Sequence, residues 1–137
     1  MDTLSYTFKK HERLCRESHI TKLFTGRNDF SAKEFPLRMA VNFVEAEESP
    51  CSKFLPVVPK KNIKKAVHRN YKKRLLKEAW RMSKHKLLPM LEEKKQDANV
   101  ALFFNGNADI TLVEVQQKLD LLIDHLLRAY PLNPDKI

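Results

Sequence analysis

Residues 63–88 run for 26 positions without a glycine or a proline. That is about seven turns of helix-compatible chain at ~3.6 residues per turn. No other stretch limits the possible folds so strongly. Val67, Tyr71, Leu75, Ala79 and Met82 fall on one apolar ridge, and Arg69, Lys73, Lys77, Arg81 and Lys84 fall on another at roughly the opposite face. Leu76, Trp80 and Leu87 form a second apolar line. The spacing therefore predicts a long helix, ended by Pro89, with part of its basic face packed against the rest of the chain.

The same stretch dominates the charge. Residues 60–86 contain 12 Lys and Arg against one acid, Glu78, a net of +11 in a chain whose total is +9. Residues 1–59 are nearly balanced and residues 87–137 are net acidic. Surfaces that only need solvation mix both signs. So many like charges held together point to a polyanionic partner, and a phosphate backbone fits best. An anionic membrane is the rival reading. It is disfavoured because a surface-lying helix needs an exposed apolar face opposite its basic one, whereas the apolar positions here look like core. Charge alone does not separate a catalytic RNA from a ribosomal RNA bound by a non-catalytic scaffold protein.

The remaining chain alternates strand and helix signals. Ser18 to Thr25 reads as a short helix capped by Ser18, with Ile20, Leu23 and Phe24 on one face and Gly26 at its end. Leu37, Met39, Val41 and Phe43 alternate with smaller or polar residues, the period of a half-buried strand, with a shorter edge strand over Phe30 to Phe35. Phe54 to Val58 reads as a further strand, and Pro56 places it at an edge or a bulge because proline gives the ladder no donor. Residues 89–97 read as a polar connector. Val100 to Phe104 is a continuous apolar run, the pattern of a buried strand. Thr111-Leu112-Val113-Glu114 is a capping box opening a last helix, with Leu112, Val115, Leu119, Leu122 and Leu126 on its buried side. The expectation is one domain over 1–137, with residues 1–10 and 130–137 as loose tails.

Catalytic and cofactor signatures are scarce. The sequence contains no Gly-rich nucleotide loop, no His-x-x-x-His or His-Glu-x-x-His zinc spacing and no Gly-x-Ser-x-Gly elbow. Cys15 and Cys51 belong to no Cys-x-x-Cys pair and read as free thiols. Glu47-Glu48 and Glu92-Glu93 lie in polar stretches, where neither carboxyl is shielded enough to act as a general acid. No apolar run approaches the ~18 residues of a membrane span, and the N-terminus carries no signal-peptide pattern. The expected location is cytoplasmic.

The segment Ala66-Val67-His68-Arg69-Asn70-Tyr71-Lys72-Lys73-Arg74-Leu75 resembles the A-V-x-R-N-R-x-K-R-L signature of the bacterial ribonuclease P protein family. It follows Val58-Pro59-Lys60-Lys61, similar to the V-S-K-K strand end of that family. Arg13-Leu14 and Leu23-Phe24-Thr25-Gly26 resemble the family's opening R-L and V-F-x-x-G elements. Three features depart from the pattern. Tyr71 replaces the second arginine of the signature, Ile20 stands where an aromatic is common, and the stretch from Lys60 to Ala66 is one residue longer and lacks a glycine.

The resemblance implies an α/β (α+β) sandwich: a small mixed sheet packed with helices, a long basic helix and a left-handed βαβ crossover, a hand seldom seen in such connections. It implies a protein subunit that binds a catalytic RNA and the 5′ leader of precursor tRNA. Cleavage would be carried out by the RNA with Mg2+, with no catalytic group, metal or nucleotide cofactor in the protein. Lys60, Lys61, Lys65, Arg69, Asn70, Lys72, Lys73, Arg74 and Lys77 are the expected RNA contacts. Ile20, Phe24 and Tyr71 are the expected lining of the leader cleft. Phe24 has a second reading, as a core residue one turn after Ile20.

Overall fold

The structure is a computed structural model, and it describes residues 17–24, 28–46, 51–61, 63–106 and 110–130. The elements in chain order are α1 (Glu17–Phe24), β1 (Phe30–Glu34), β2 (Leu37–Glu45), β3 (Ser52–Val57), α2 (Ala66–Ser83), α3 (Leu88–Lys94), β4 (Gln96–Phe104) and α4 (Leu112–Ala129), with a 3-10 turn at Lys84–Leu87 joining α2 to α3. The strands form one sheet in the order β1-β2-β4-β3. β1 and β2 are an antiparallel hairpin that turns at Phe35 and Pro36, whose peptide bond is cis. β2 pairs antiparallel with β4, and β4 pairs parallel with β3. The chain therefore crosses from β3 to β4 through α2 and α3, as a parallel pair requires. β3 is an outer strand, which accommodates Pro56 where the ladder can spare a donor.

Side chains alternate across each strand, and this gives the sheet two unlike faces. Leu37, Met39 and Val41 of β2, Phe54 of β3, and Val100, Leu102 and Phe104 of β4 point to the face covered by the long helices. α2 contributes Leu76, Ala79 and Trp80, and α4 contributes Val115, Leu119, Leu122, Ile123 and Leu126. Trp80 stacks on Phe54 with ring centroids 4.9 Å apart and planes 7° apart. The other face carries a smaller cluster, Leu23, Ala40, Ala101 and Phe103, with Ile20, Leu55 and Val57 packed beside it.

Local chemistry sets several boundaries. Thr111 and Glu114 close the capping box at the start of α4: the Glu114 N–H donates to the Thr111 hydroxyl at 3.2 Å and the Thr111 N–H donates to the Glu114 carboxylate at 3.3 Å. Gly106, two residues past the end of β4, takes φ 92°, a conformation that disfavours a side chain. His125 of α4 lies 3.0 Å from the carboxylate of Glu34, tying the last helix to the outer strand β1.

The long helix differs from its expected form in three ways. It begins at Ala66 and ends at Ser83, and Ile63 is buried in the preceding loop. Pro89 opens α3 rather than stopping α2, since a proline in a first helical turn forfeits no hydrogen bond. Residues 89–97 are correspondingly not a polar connector, because Met90 and Leu91 of α3 are buried in the main core. The buried side of α2 is Lys72, Leu76, Ala79, Trp80 and Ser83; of the ridge begun by Val67 and Tyr71 only Ala79 is buried, with Leu75 packed at the margin of the core. Two apolar lines competed for the core, and the one holding the large indole won it. At the N-terminal helix, Glu17 precedes Ser18 within α1, so Ser18 does not occupy the cap position. The suggested loose tail 130–137 does not begin at Tyr130, whose ring meets Phe43 edge-on at 5.0 Å and whose hydroxyl donates to the Asp29 carbonyl at 3.0 Å; residues 131–137, the suggested tail 1–10, Gly26, Cys15 and Arg13-Leu14 lie outside the described residues.

Candidate nucleic-acid interface

The loop from Val58 to Lys65 turns the chain from β3 into α2. Ile63 anchors it from below, buried, with its N–H donating to the Pro59 carbonyl at 3.3 Å. Arg69 reaches back from the first turns of α2, and its Nη1 donates to the carbonyls of Ile63 at 3.0 Å and Lys64 at 2.6 Å. The loop is thus stitched to the helix by the signature arginine itself. This arrangement holds Lys60, Lys61, Lys64 and Lys65 exposed at one end of α2. The first turn of α2 contains no acid, and its N-cap, Lys65, makes no side-chain cap. The partial positive charge of the helix terminus therefore adds to the lysines.

Along α2 the expected RNA contacts separate. Asn70, Arg74 and Lys77 are exposed, and Lys73 is half-buried on the flank. Lys72 is buried, with its ammonium 5.1 Å from the centroid of the Phe104 ring. The expectation that Lys72 contacts RNA is corrected accordingly: its position turns inward on the same line as Leu76, so the charge is held against the core by a cation–π contact. Arg69 likewise has guanidinium hydrogen bonds committed to the protein backbone.

Tyr71 also sits elsewhere than expected. It is 55% exposed on the outward side of α2, and α2 covers the sheet face opposite the one that carries Ile20. It lines a shallow groove of about 420 Å³ with Arg74, Leu75, Lys77, Glu78 and Arg81. Tyr71 is therefore not part of a cleft with Ile20 and Phe24. At the far end of the groove Glu78 and Arg81 form a two-point pair, with Arg81 Nε donating at 3.1 Å and Nη2 at 2.6 Å. Hydrogen bonding from Arg81 holds the Glu78 carboxyl below the usual carboxylate range.

A second surface lies on the lightly covered sheet face. Leu23 of α1 is fully buried there, while Phe24 beside it is 53% exposed, which removes the core reading of Phe24. The Phe24 ring stands edge-on to Phe103 at 5.4 Å, and the Arg38 guanidinium lies 4.3 Å from the centroid of the same Phe103 ring. Ile20 packs half-buried beside them. Reading the sequence as a string of elements missed Arg38 and Phe103 as members of this surface. The available signal was parity: Arg38 falls out of step with the core positions Leu37, Met39 and Val41, and Phe103 falls out of step with Leu102 and Phe104.

Among the described residues, no group of three or more His, Cys, Asp or Glu side chains is placed to hold a metal ion. None of the described helices is long and apolar enough to cross a membrane.

Comparison with known proteins agrees with this geometry. The family model described as Ribonuclease P matches residues 8–127. The ribonuclease P protein component of Porphyromonas gingivalis is 33% identical over 97 residues, 71% of this chain and 69% of that protein. The corresponding component of Chlorobium phaeobacteroides is 33% identical over 93 residues, 66% of this chain and 63% of that protein. The Staphylococcus aureus RNase P protein has the same fold, with a TM-score of 0.63 at 17% identity over 84% of this chain and 94% of that one. With a basic helix bearing the signature residues, a mixed sheet of matching architecture and a family match over most of its length, the chain belongs to the ribonuclease P protein family.

Proposed function

We propose that this family member acts with two surfaces on opposite sides of one sheet. The loop before α2 and the exposed positions of that helix grip the catalytic RNA of ribonuclease P. The face beside α1, lined by Phe24, Ile20, Arg38 and Phe103, receives the 5′ leader of precursor tRNA. The observation that carries this reading is the exposed set Lys60, Lys61, Lys65, Asn70, Arg74 and Lys77, drawn from the segment of +11 net charge. Such a set neutralises phosphates and releases their counterions. Lys73 on the flank adds to it, and Arg69 holds the loop in place. On the other face, an exposed ring braced by a second ring and a guanidinium suits a single strand, whose bases stack on aromatics while its phosphates need cations.

Hydrolysis belongs to the RNA and its Mg2+ in this reading. The protein screens repulsion between catalytic RNA and substrate and so lowers the magnesium that the reaction needs. Reconstitution tests the reading: the protein is added to a bacterial ribonuclease P RNA and precursor tRNA at low magnesium. Release of the leader by the mixture, and not by protein stripped of RNA, is the expected result. Cleavage by RNA-free protein, or no stimulation of the RNA, overturns it.

A further inference from the structure

Val67 and Tyr71 are 74% and 55% exposed in the middle of the most basic segment of the chain. Phosphate binding gives no reason for either. A helix that only neutralised a backbone would fill its outward side with lysine, arginine and small polar residues. Here the two apolar residues lie one turn apart on the same side of α2, and the groove beside Tyr71 is floored by Leu75. Its volume, about 420 Å³, falls in the range of small-ligand clefts, roughly 300–1,000 Å³. Arg74 and Lys77 stand on its rim. Its far end is closed by the Glu78–Arg81 pair, where the acid offsets the charge of Arg81.

We infer that this groove holds one unpaired nucleotide of the RNA gripped by α2, with the base stacked on the Tyr71 ring over Leu75 and its phosphates on Arg74 and Lys77. The inference rests on the proposed RNA-binding role of α2 and adds a stacking contact to it. Charge decides the occupant. A groove rimmed by Arg74 and Lys77 on a helix of strongly positive surroundings repels a second copy of itself and attracts a polyanion. A paired base in an A-form helix cannot present its ring face to a side chain, so the nucleotide must be unpaired. Tyr71 thus exchanges one phosphate contact, the arginine of the family signature, for one base contact.

Stacking and phosphate contact have different salt signatures, and that separates them. Affinity for ribonuclease P RNA is measured across a salt series for wild type, Tyr71→Ala, Tyr71→Phe, Tyr71→Arg and Arg74→Ala. Tyr71→Ala should weaken binding about 5- to 150-fold, the usual worth of one stacked base, without changing the slope of log K against log salt. Tyr71→Phe should bind like wild type. Tyr71→Arg should steepen the slope by about one phosphate, and Arg74→Ala should flatten it by about one. Chemical probing of the RNA should show an unpaired base shielded by wild type and Tyr71→Phe and reactive with Tyr71→Ala. If Arg74→Ala weakens binding while Tyr71→Ala binds as wild type, the stacking site is wrong and the RNA-binding helix stands. If neither weakens binding, both are wrong. A loss in Tyr71→Ala that tracks self-association of the protein rather than base protection also overturns the inference.

Discussion

The two faces of the sheet are built from the same strands and finished in opposite ways. On one, α2 and α4 cover Met39, Val41, Phe54, Val100, Leu102 and Phe104 completely, and Trp80 lies flat on Phe54. On the other, the eight-residue helix α1 buries Leu23 but leaves Phe24 half out, with Arg38 laid over Phe103. The first face is finished by apolar packing, and its side chains belong to stability. The second is only partly covered: Phe103 is buried, while the exposed Phe24 ring and the half-buried Arg38 can still gain by covering a ligand. An edge-to-face aromatic pair with a guanidinium above one ring is stable enough to stay in place and exposed enough to bind.

The sharpest way to break this contrast is to truncate one aromatic on each face. Trp80→Ala should cost ~3–5 kcal/mol of stability, the usual loss for a large buried aromatic, seen as a large fall in melting temperature and a loss of binding to every ligand. Trp80→Phe should cost much less, because it keeps the stacked ring and removes a buried indole N–H that has no hydrogen-bond partner among the described residues. If Trp80→Ala melts like wild type, the assignment of that face to stability is wrong.

Phe24→Ala should do the reverse. At 53% exposure its removal should shift the melting temperature little. It should weaken precursor tRNA that carries a leader of several nucleotides by ~1–3 kcal/mol, the worth of a stacked base. Affinity for the catalytic RNA alone should not change. Competition between long- and short-leader substrates reads this directly, and equal losses on both would remove Phe24 from the leader surface.

The smallest effects concern charge. Lys73→Ala should flatten the salt dependence of RNA binding by about one phosphate, and Lys118→Ala, on α4, should leave it alone. Arg69→Ala should instead cost about 1 kcal/mol of stability, because its guanidinium holds the Ile63 and Lys64 carbonyls. A denaturant titration beside the salt series distinguishes the two roles. Identical behaviour of Lys73→Ala and Arg69→Ala would erase the distinction between a residue that meets RNA and one that shapes the loop.

Much of the molecule was decided locally and could be read from the chain. Periodicity marked β2 and the buried face of α4, the Thr111–Glu114 box marked where α4 begins, and Pro56 limited β3 to an edge or a bulge, of which the sheet shows the edge. The signature beginning at Ala66 marked the family, and the concentration of positive charge marked residues 60–86 as the segment proposed to meet RNA. These features depend on neighbours within a few residues, so the sequence determines them alone. The roles of individual side chains on α2 depend on which of its two apolar lines meets the sheet, and both lines satisfy helical spacing. Only the tertiary packing of Trp80 on Phe54 chooses between them. That choice turns Lys72 inward to Phe104 and Tyr71 outward to solvent. The same holds for Phe24 and Arg38: a strand's alternation says that two faces exist, but which of them stays partly uncovered is settled by where the helices land.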